Sequence, residues 1–66
     1  MRIFVNGEPR ELPDGATVST LVAALDLAGR RIAVEVNEDI VPKGLHAQTV
    51  LRDNDRIEIV HAIGGG

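Results

Sequence analysis

The residues best suited to chemistry are the last three, Gly64-Gly65-Gly66. Glycine carries no Cβ and takes φ of either sign, so such a segment is thin enough to thread a narrow channel in another protein. It would deliver a terminal carboxylate that is ionised at neutral pH, its reference pKa being about 3.3–3.7. A carboxylate is a poor electrophile, but as a mixed anhydride with AMP it is open to attack by a sulfur or nitrogen nucleophile. The plain alternative is a frayed terminus, where glycine is equally at home.

Little else in the chain competes for a chemical role. Cysteine is absent, which excludes disulfides, thiolate zinc sites and thiol nucleophiles. Of the histidines, His46 is expected in a solvated loop. His61 shares strand parity with Ile57 and Ile59 and reads as a strand-end residue beside the tail. The carboxylates Glu35, Glu38, Asp39, Asp53 and Asp55 fall in or near turns without metal-ligand spacing, as a solvated rim does. No G-x-x-x-x-G-K-[ST] or G-x-G-x-x-G pattern is present, so no phosphate loop is expected. Neither a catalytic side chain, nor a metal, nor a bound cofactor is expected.

Size and charge narrow the field further. A chain of 66 residues makes one small domain. Such a domain buries only about 60% of the surface of its unfolded chain, too little to enclose a deep substrate pocket. The formal net charge is -3 and Phe4 is the sole aromatic residue, so both the basic stripe and the stacking platforms of a nucleic-acid binder are missing. No apolar run approaches the roughly 20 residues of a membrane span. The start, Met1-Arg2-Ile3-Phe4-Val5-Asn6-Gly7, reads as a strand rather than a signal peptide, and a cytoplasmic location is expected.

The elements that must present the tail follow from periodicity. Ile3 and Val5 alternate with Phe4 in a strand over residues 2–6, and Asn6-Gly7 marks a hairpin leading to a second strand near residues 10–12. Thr17 caps a helix expected over residues 17–28, with Val18, Leu21, Val22 and Leu25 forming its apolar stripe and Gly29 its end. Ile32, Val34 and Val36 give a third strand, and Ile40-Val41 a short fourth stopped by Pro42. Residues 42–48 read as irregular with one helical turn, and Asp53-Asn54-Asp55 as a tight turn before a last strand over residues 56–63. One helix must then cover one face of one sheet, with the first and last strands central. Helix residues Val18, Leu21, Val22 and Leu25 are expected to pack on Ile3, Val5, Val34, Ile57 and Ile59. By parity Phe4, Val60 and Ala62 face away from the helix. They are expected to form an exposed apolar patch for partner docking.

The whole chain resembles the thiamin-biosynthesis sulfur carrier proteins, β-grasp relatives of ubiquitin. The resemblance rests on the opening Met1-Arg2-Ile3-Phe4-Val5-Asn6-Gly7, on Thr17-Val18 and on Val36-Asn37-Glu38-Asp39-Ile40-Val41-Pro42. It continues through Asp53-Asn54-Asp55-Arg56-Ile57-Glu58-Ile59 to the tail Gly64-Gly65-Gly66. Where that family commonly has Asp-Gly-Asp, this chain has Asp53-Asn54-Asp55, and Asn also tolerates the left-handed region.

The resemblance implies an α+β, ubiquitin-like β-grasp domain over residues 1–63 and a flexible glycine tail at 64–66. It implies an E1-like enzyme that spends ATP to adenylate the Gly66 carboxylate. A cysteine desulfurase then supplies sulfur to make a thiocarboxylate, and a thiazole synthase receives that sulfur. Gly64 and Gly65 would thread the partner's channel. The related molybdopterin-synthesis carrier, a protein modifier joined through Gly66 to lysines, and an interaction domain with an inert tail remain alternatives.

Overall fold

The computed structural model describes residues 1–61; Ala62, Ile63 and the three terminal glycines lie outside the described residues. Strand β1 (Arg2–Val5) turns through Asn6 and Gly7 into β2 (Glu8–Glu11). Val5 pairs with Glu8 across this two-residue loop, and both loop residues have positive φ, 51° at Asn6 and 86° at Gly7. That is the hairpin whose twist suits its strands, and an Asn-Gly pair accepts it at little cost. β2 thus begins two residues earlier than the apolar pattern suggested. Its side chains are all exposed, so turn geometry sets its start.

The helix α1 (Val18–Ala24) is shorter than the expected 17–28. Its beginning is as read: the Thr17 hydroxyl accepts the Thr20 amide, and the Thr20 hydroxyl accepts the Thr17 amide at 3.1 Å. The end differs. Asp26 takes the left-handed conformation (φ 60°), and the Asp26 and Leu27 amides donate back to the Ala23 and Val22 carbonyls at 3.0 and 2.9 Å. These bonds satisfy two of the last carbonyls of the helix. Gly29 (φ 81°) serves a separate turn, closed by the Arg30 amide on the Leu27 carbonyl.

After α1 come β3 (Ile32–Val36), β4 (Asp39–Val41), a 3₁₀ turn (Lys43–Leu45) and β5 (Arg56–His61). The sheet order is β2-β1-β5-β3-β4, with β5 in the middle. β1 and β5 run parallel side by side, and β5 pairs antiparallel with β3 from Ile57 to His61. This five-stranded mixed sheet covered by one helix is the β-grasp arrangement.

Ile3, Val34, Ile57 and Ile59 from the sheet meet Val18, Leu21 and Val22 from the helix in one buried cluster. Val5 and Leu25 join it only half-buried. Leu12, the last residue of the expected second strand, lies just past β2 and joins the core, and Ala16 and Leu51 complete it from connecting segments where neither strand nor helix periodicity points to them. The Leu51 amide donates to the Ala16 carbonyl at 2.8 Å, and the Val18 amide to the Thr49 carbonyl at 3.0 Å. Two connections are thereby stitched together across the start of the helix.

Candidate functional site

In sequence the tail follows directly on β5, so the surroundings of that strand are described first. Its first half lies between two strands, with Val5 opposite Ile57 on one side and Val36 opposite Ile57 on the other. β1 then stops, because the chain turns away at Asn6. The Asn6 side chain replaces the missing strand: its Nδ2 donates to the Ile59 carbonyl at 3.1 Å, and its Oδ1 accepts the Ile59 amide at 2.9 Å. An amide side chain carries the same donor and acceptor as a peptide unit, so the ladder continues for one more residue. Beyond it a groove of about 400 Å³ opens on the helix side, lined among others by Asn6, Arg10, Leu25, Leu27, Ile59 and His61. His61 is exposed and is the last described residue before the tail, so the Ala62, Gly64, Gly65 and Gly66 assignments fall outside the described residues.

On the opposite face of the sheet, Phe4 is half-buried and Val60 exposed. Both point away from the helix, as parity requires, but they do not touch. In register Phe4 stands beside Arg56 and Pro9, whereas Val60 stands beside Ala33. The four residue steps from Arg56 to Val60 span about 13 Å of strand, and Glu58 lies between them. Between Phe4 and Val60 the face is therefore a mosaic; Ala62, the third residue of the expected patch, lies outside the described residues. Register along a parallel pair decides this, and parity alone cannot supply it. Ile40 lies on the same face, opposite Glu35, and is 70% exposed. Sequence reasoning missed it, although its alternation with the half-buried Val41 carried the signal.

His46 corrects another expectation. It is buried rather than solvated, with 9% exposure, and its Nε2 lies 3.1 Å from the Val41 carbonyl oxygen. Its own carbonyl accepts the Ser19 amide at 3.0 Å. The residue ties the 3₁₀ turn to the helix and to β4, a packing role that its apolar-poor neighbourhood in sequence conceals. Among the described residues no group of three or more His, Cys, Asp or Glu could hold a metal ion.

The acidic turn residues hold backbone rather than merely facing solvent. Asp53 accepts the Arg2 amide at 2.8 Å, and Asp55 accepts the Arg52 amide at 2.8 Å and the Asn37 Nδ2 at 2.9 Å.

The ThiS family model matches residues 3–66, nearly the whole chain and all of the tail. The chain belongs to the ThiS family. The sulfur carrier protein ThiS of Escherichia coli (strain K12) is 33% identical over the full length of both chains. The crystal structure of the thiamine biosynthesis protein ThiS from Geobacter metallireducens superposes with a TM-score of 0.86 at 29% identity, covering all of both chains. A thiazole synthase of Magnetococcus marinus is 42% identical over the whole of this chain, which spans only 20% of that protein's length. No helix among the described residues is long and apolar enough to cross a membrane.

Proposed function

We propose that this ThiS-family chain is a sulfur carrier for thiazole formation in thiamin synthesis, acting through the carboxylate of Gly66. The observation that carries the reading is the unbroken family match from residue 3 through the terminal glycines to residue 66. An E1-like enzyme adenylates the carboxylate: a carboxylate oxygen attacks the α-phosphorus of ATP and pyrophosphate leaves. A persulfide sulfur originating from a cysteine desulfurase then attacks the acyl carbon to give an acyl disulfide, and a thiol reductant cleaves its S–S bond, releasing the thiocarboxylate and leaving the reductant as a disulfide. One carboxylate oxygen departs with AMP, and a C–S bond takes its place. A thiazole synthase receives the sulfur, a choice of acceptor supported by the thiazole synthase relative that contains a segment similar to this whole chain.

In this reading the chain is not an enzyme and works in the cytoplasm. Gly64 and Gly65 occupy the partner's channel, and the mosaic of Phe4, Val60 and Ala62 with the neighbouring Ile40 docks the partner. ATP is bound by the activating enzyme and not by this domain. Family membership favours this pathway over the molybdopterin one.

Intact-mass spectrometry tests the reading. After incubation with ATP, the E1-like enzyme, a cysteine desulfurase and cysteine, the chain should gain the mass of one oxygen replaced by sulfur. If it instead becomes linked to lysines of other proteins, the modifier reading replaces this one.

A further inference from the structure

A small cavity of about 40 Å³ lies between α1, the turn that follows it and the 3₁₀ turn. Val22, Leu27 and Ile32 form its apolar wall, while Arg30, Lys43 and His46 bring the polar groups. Among the described residues no carboxylate lines it, and neither Arg30 nor Lys43, both exposed, enters a salt bridge.

His46 is the member that gives the cavity its chemistry. It is nine-tenths buried, at 9% exposure. Its amide donates to the Lys43 carbonyl at 3.2 Å and its carbonyl accepts the Ser19 amide at 3.0 Å, so the residue is held from both sides. A carbonyl oxygen can only accept, so the 3.1 Å contact with Val41 places a ring proton on Nε2. Nδ1 then carries a lone pair, with no hydrogen-bond partner among the described residues. No side-chain nitrogen or oxygen among them is both sealed from solvent and unpaired. Nδ1 therefore keeps an opening, and the cavity that the ring lines supplies it.

We infer that this cavity binds a phosphate group, with Arg30 and Lys43 on its anionic oxygens and Nδ1 of His46 accepting its P–O–H proton. The inference goes beyond the carrier reading and does not depend on it. Two cations match the roughly -1.5 to -2 charge of a phosphate group at neutral pH. The lone pair on Nδ1 then selects among anions. A carboxylate or a sulfate has only acceptors at neutral pH and would set an oxygen against that lone pair. A phosphate group titrates near about pH 6, so it has a proton to offer there. Size agrees as well. One water needs about 10–15 Å³, so the cavity holds about three waters, or roughly one phosphate group.

Calorimetry, together with NMR of the His46 ring nitrogens, tests this at neutral pH and constant ionic strength, with inorganic phosphate, sulfate and acetate as probes. Phosphate should bind saturably and shift the Nδ1 signal, and sulfate and acetate should bind about tenfold more weakly, the effect of one charge-assisted hydrogen bond lost. Arg30→Gln and Lys43→Gln should each fold with the parent's melting temperature and bind phosphate about tenfold more weakly by the same count. Arg52→Gln removes an exposed cation that does not line the cavity and should leave phosphate binding unchanged. Ribose 5-phosphate is the probe for the source of the group. Binding like that of inorganic phosphate supports an ester as the ligand, and its exclusion supports free phosphate. Sulfate binding as tightly as phosphate overturns the inference, because the cations would then be attracting any dianion. An Nδ1 signal that phosphate does not move, or an equal loss in Arg52→Gln, also overturns it.

Discussion

The two ends of β5 are finished in opposite ways. At its start, Asn37 accepts the Arg56 amide on Oδ1 at 2.9 Å and donates its backbone amide to the Arg56 carbonyl at 2.7 Å. Asp55 ties Asn37 to Arg52, and Asp53 with Asn54 closes the beginning of β1 through the amide and carbonyl of Arg2. At the other end a single side chain, Asn6, is the last tether on the β1 side, and His61 lies beyond it. Polar groups placed to satisfy backbone make a closed base. The same strand ends on a single side-chain tether. In a domain this small, the polar side-chain bonds that hold β5 are concentrated at its start.

Several substitutions would sharpen or break that contrast. The largest stability loss should come from the core between the two ends. Leu21 is fully buried, so Leu21→Ala should cost about 2–5 kcal/mol, whereas the half-buried Leu25 should cost clearly less. Chemical denaturation of both variants checks this, and equal losses would mean that the groove beside Leu25 is filled in solution.

Next comes the base. Asp55→Ala deletes the acceptor of two hydrogen bonds and should cost about 2 kcal/mol, since bonds to charged groups contribute roughly 1.5–3 kcal/mol and this one is only partly buried. Thiocarboxylate formation at a temperature where the variant is folded should be unchanged. A loss of activity without a loss of stability would show that the base, too, belongs to the functional surface.

A smaller effect is expected on the outer face. Phe4→Asp should weaken binding of the adenylating enzyme about tenfold, equivalent to about 1.4 kcal/mol, with folding retained. The figure is a net one: Glu35 and Glu58 face each other across β3 and β5 and suit a basic partner, so the loss of the apolar ring outweighs the attraction a new carboxylate adds. Unchanged affinity would remove Phe4 from the interface. The smallest change is a gain: Glu38 sits at φ 74°, where a side chain is strained, so Glu38→Gly should raise stability by roughly 0.5–1 kcal/mol without affecting activity. Thermal denaturation reads it, and a drop in melting temperature would mean that the Glu38 side chain makes a compensating contact.

Much of this was legible in the sequence because local rules sufficed. Asn6-Gly7 determines its hairpin by backbone preference, Thr17 caps the helix through Thr20, and alternation sorted Ile3, Ile57 and Ile59 from Phe4 and Val60. Most of the failures depended on a distant partner, and the helix end on a choice between neighbouring residues. Nothing local distinguishes Asp26 from Gly29 as the residue that ends the helix, because Leu27 and Ala28 are good helix formers. His46 is buried by what folds over it. Phe4 and Val60 share a face but are held apart by the offset at which β1 meets β5. The most consequential miss was Asn6, legible as a turn residue yet not as the side chain that extends a ladder to Ile59, some fifty residues away.

The central claim is that the reacting group is the carboxylate at the end of the tail, and the most direct measurement moves that group. One alanine appended after Gly66 displaces the carboxylate by about 3.5 Å while leaving both ends of β5 untouched. Misplacement by about 1 Å can cost on the order of 10²-fold in such reactions. With ATP, the adenylating enzyme, the desulfurase and cysteine, intact-mass spectrometry should find sulfur in place of oxygen on the parent and none on the extended chain, with identical melting curves for the two. Sulfur appearing equally on the extended chain would contradict the account, because the Gly66 carboxylate would then not be the group that reacts.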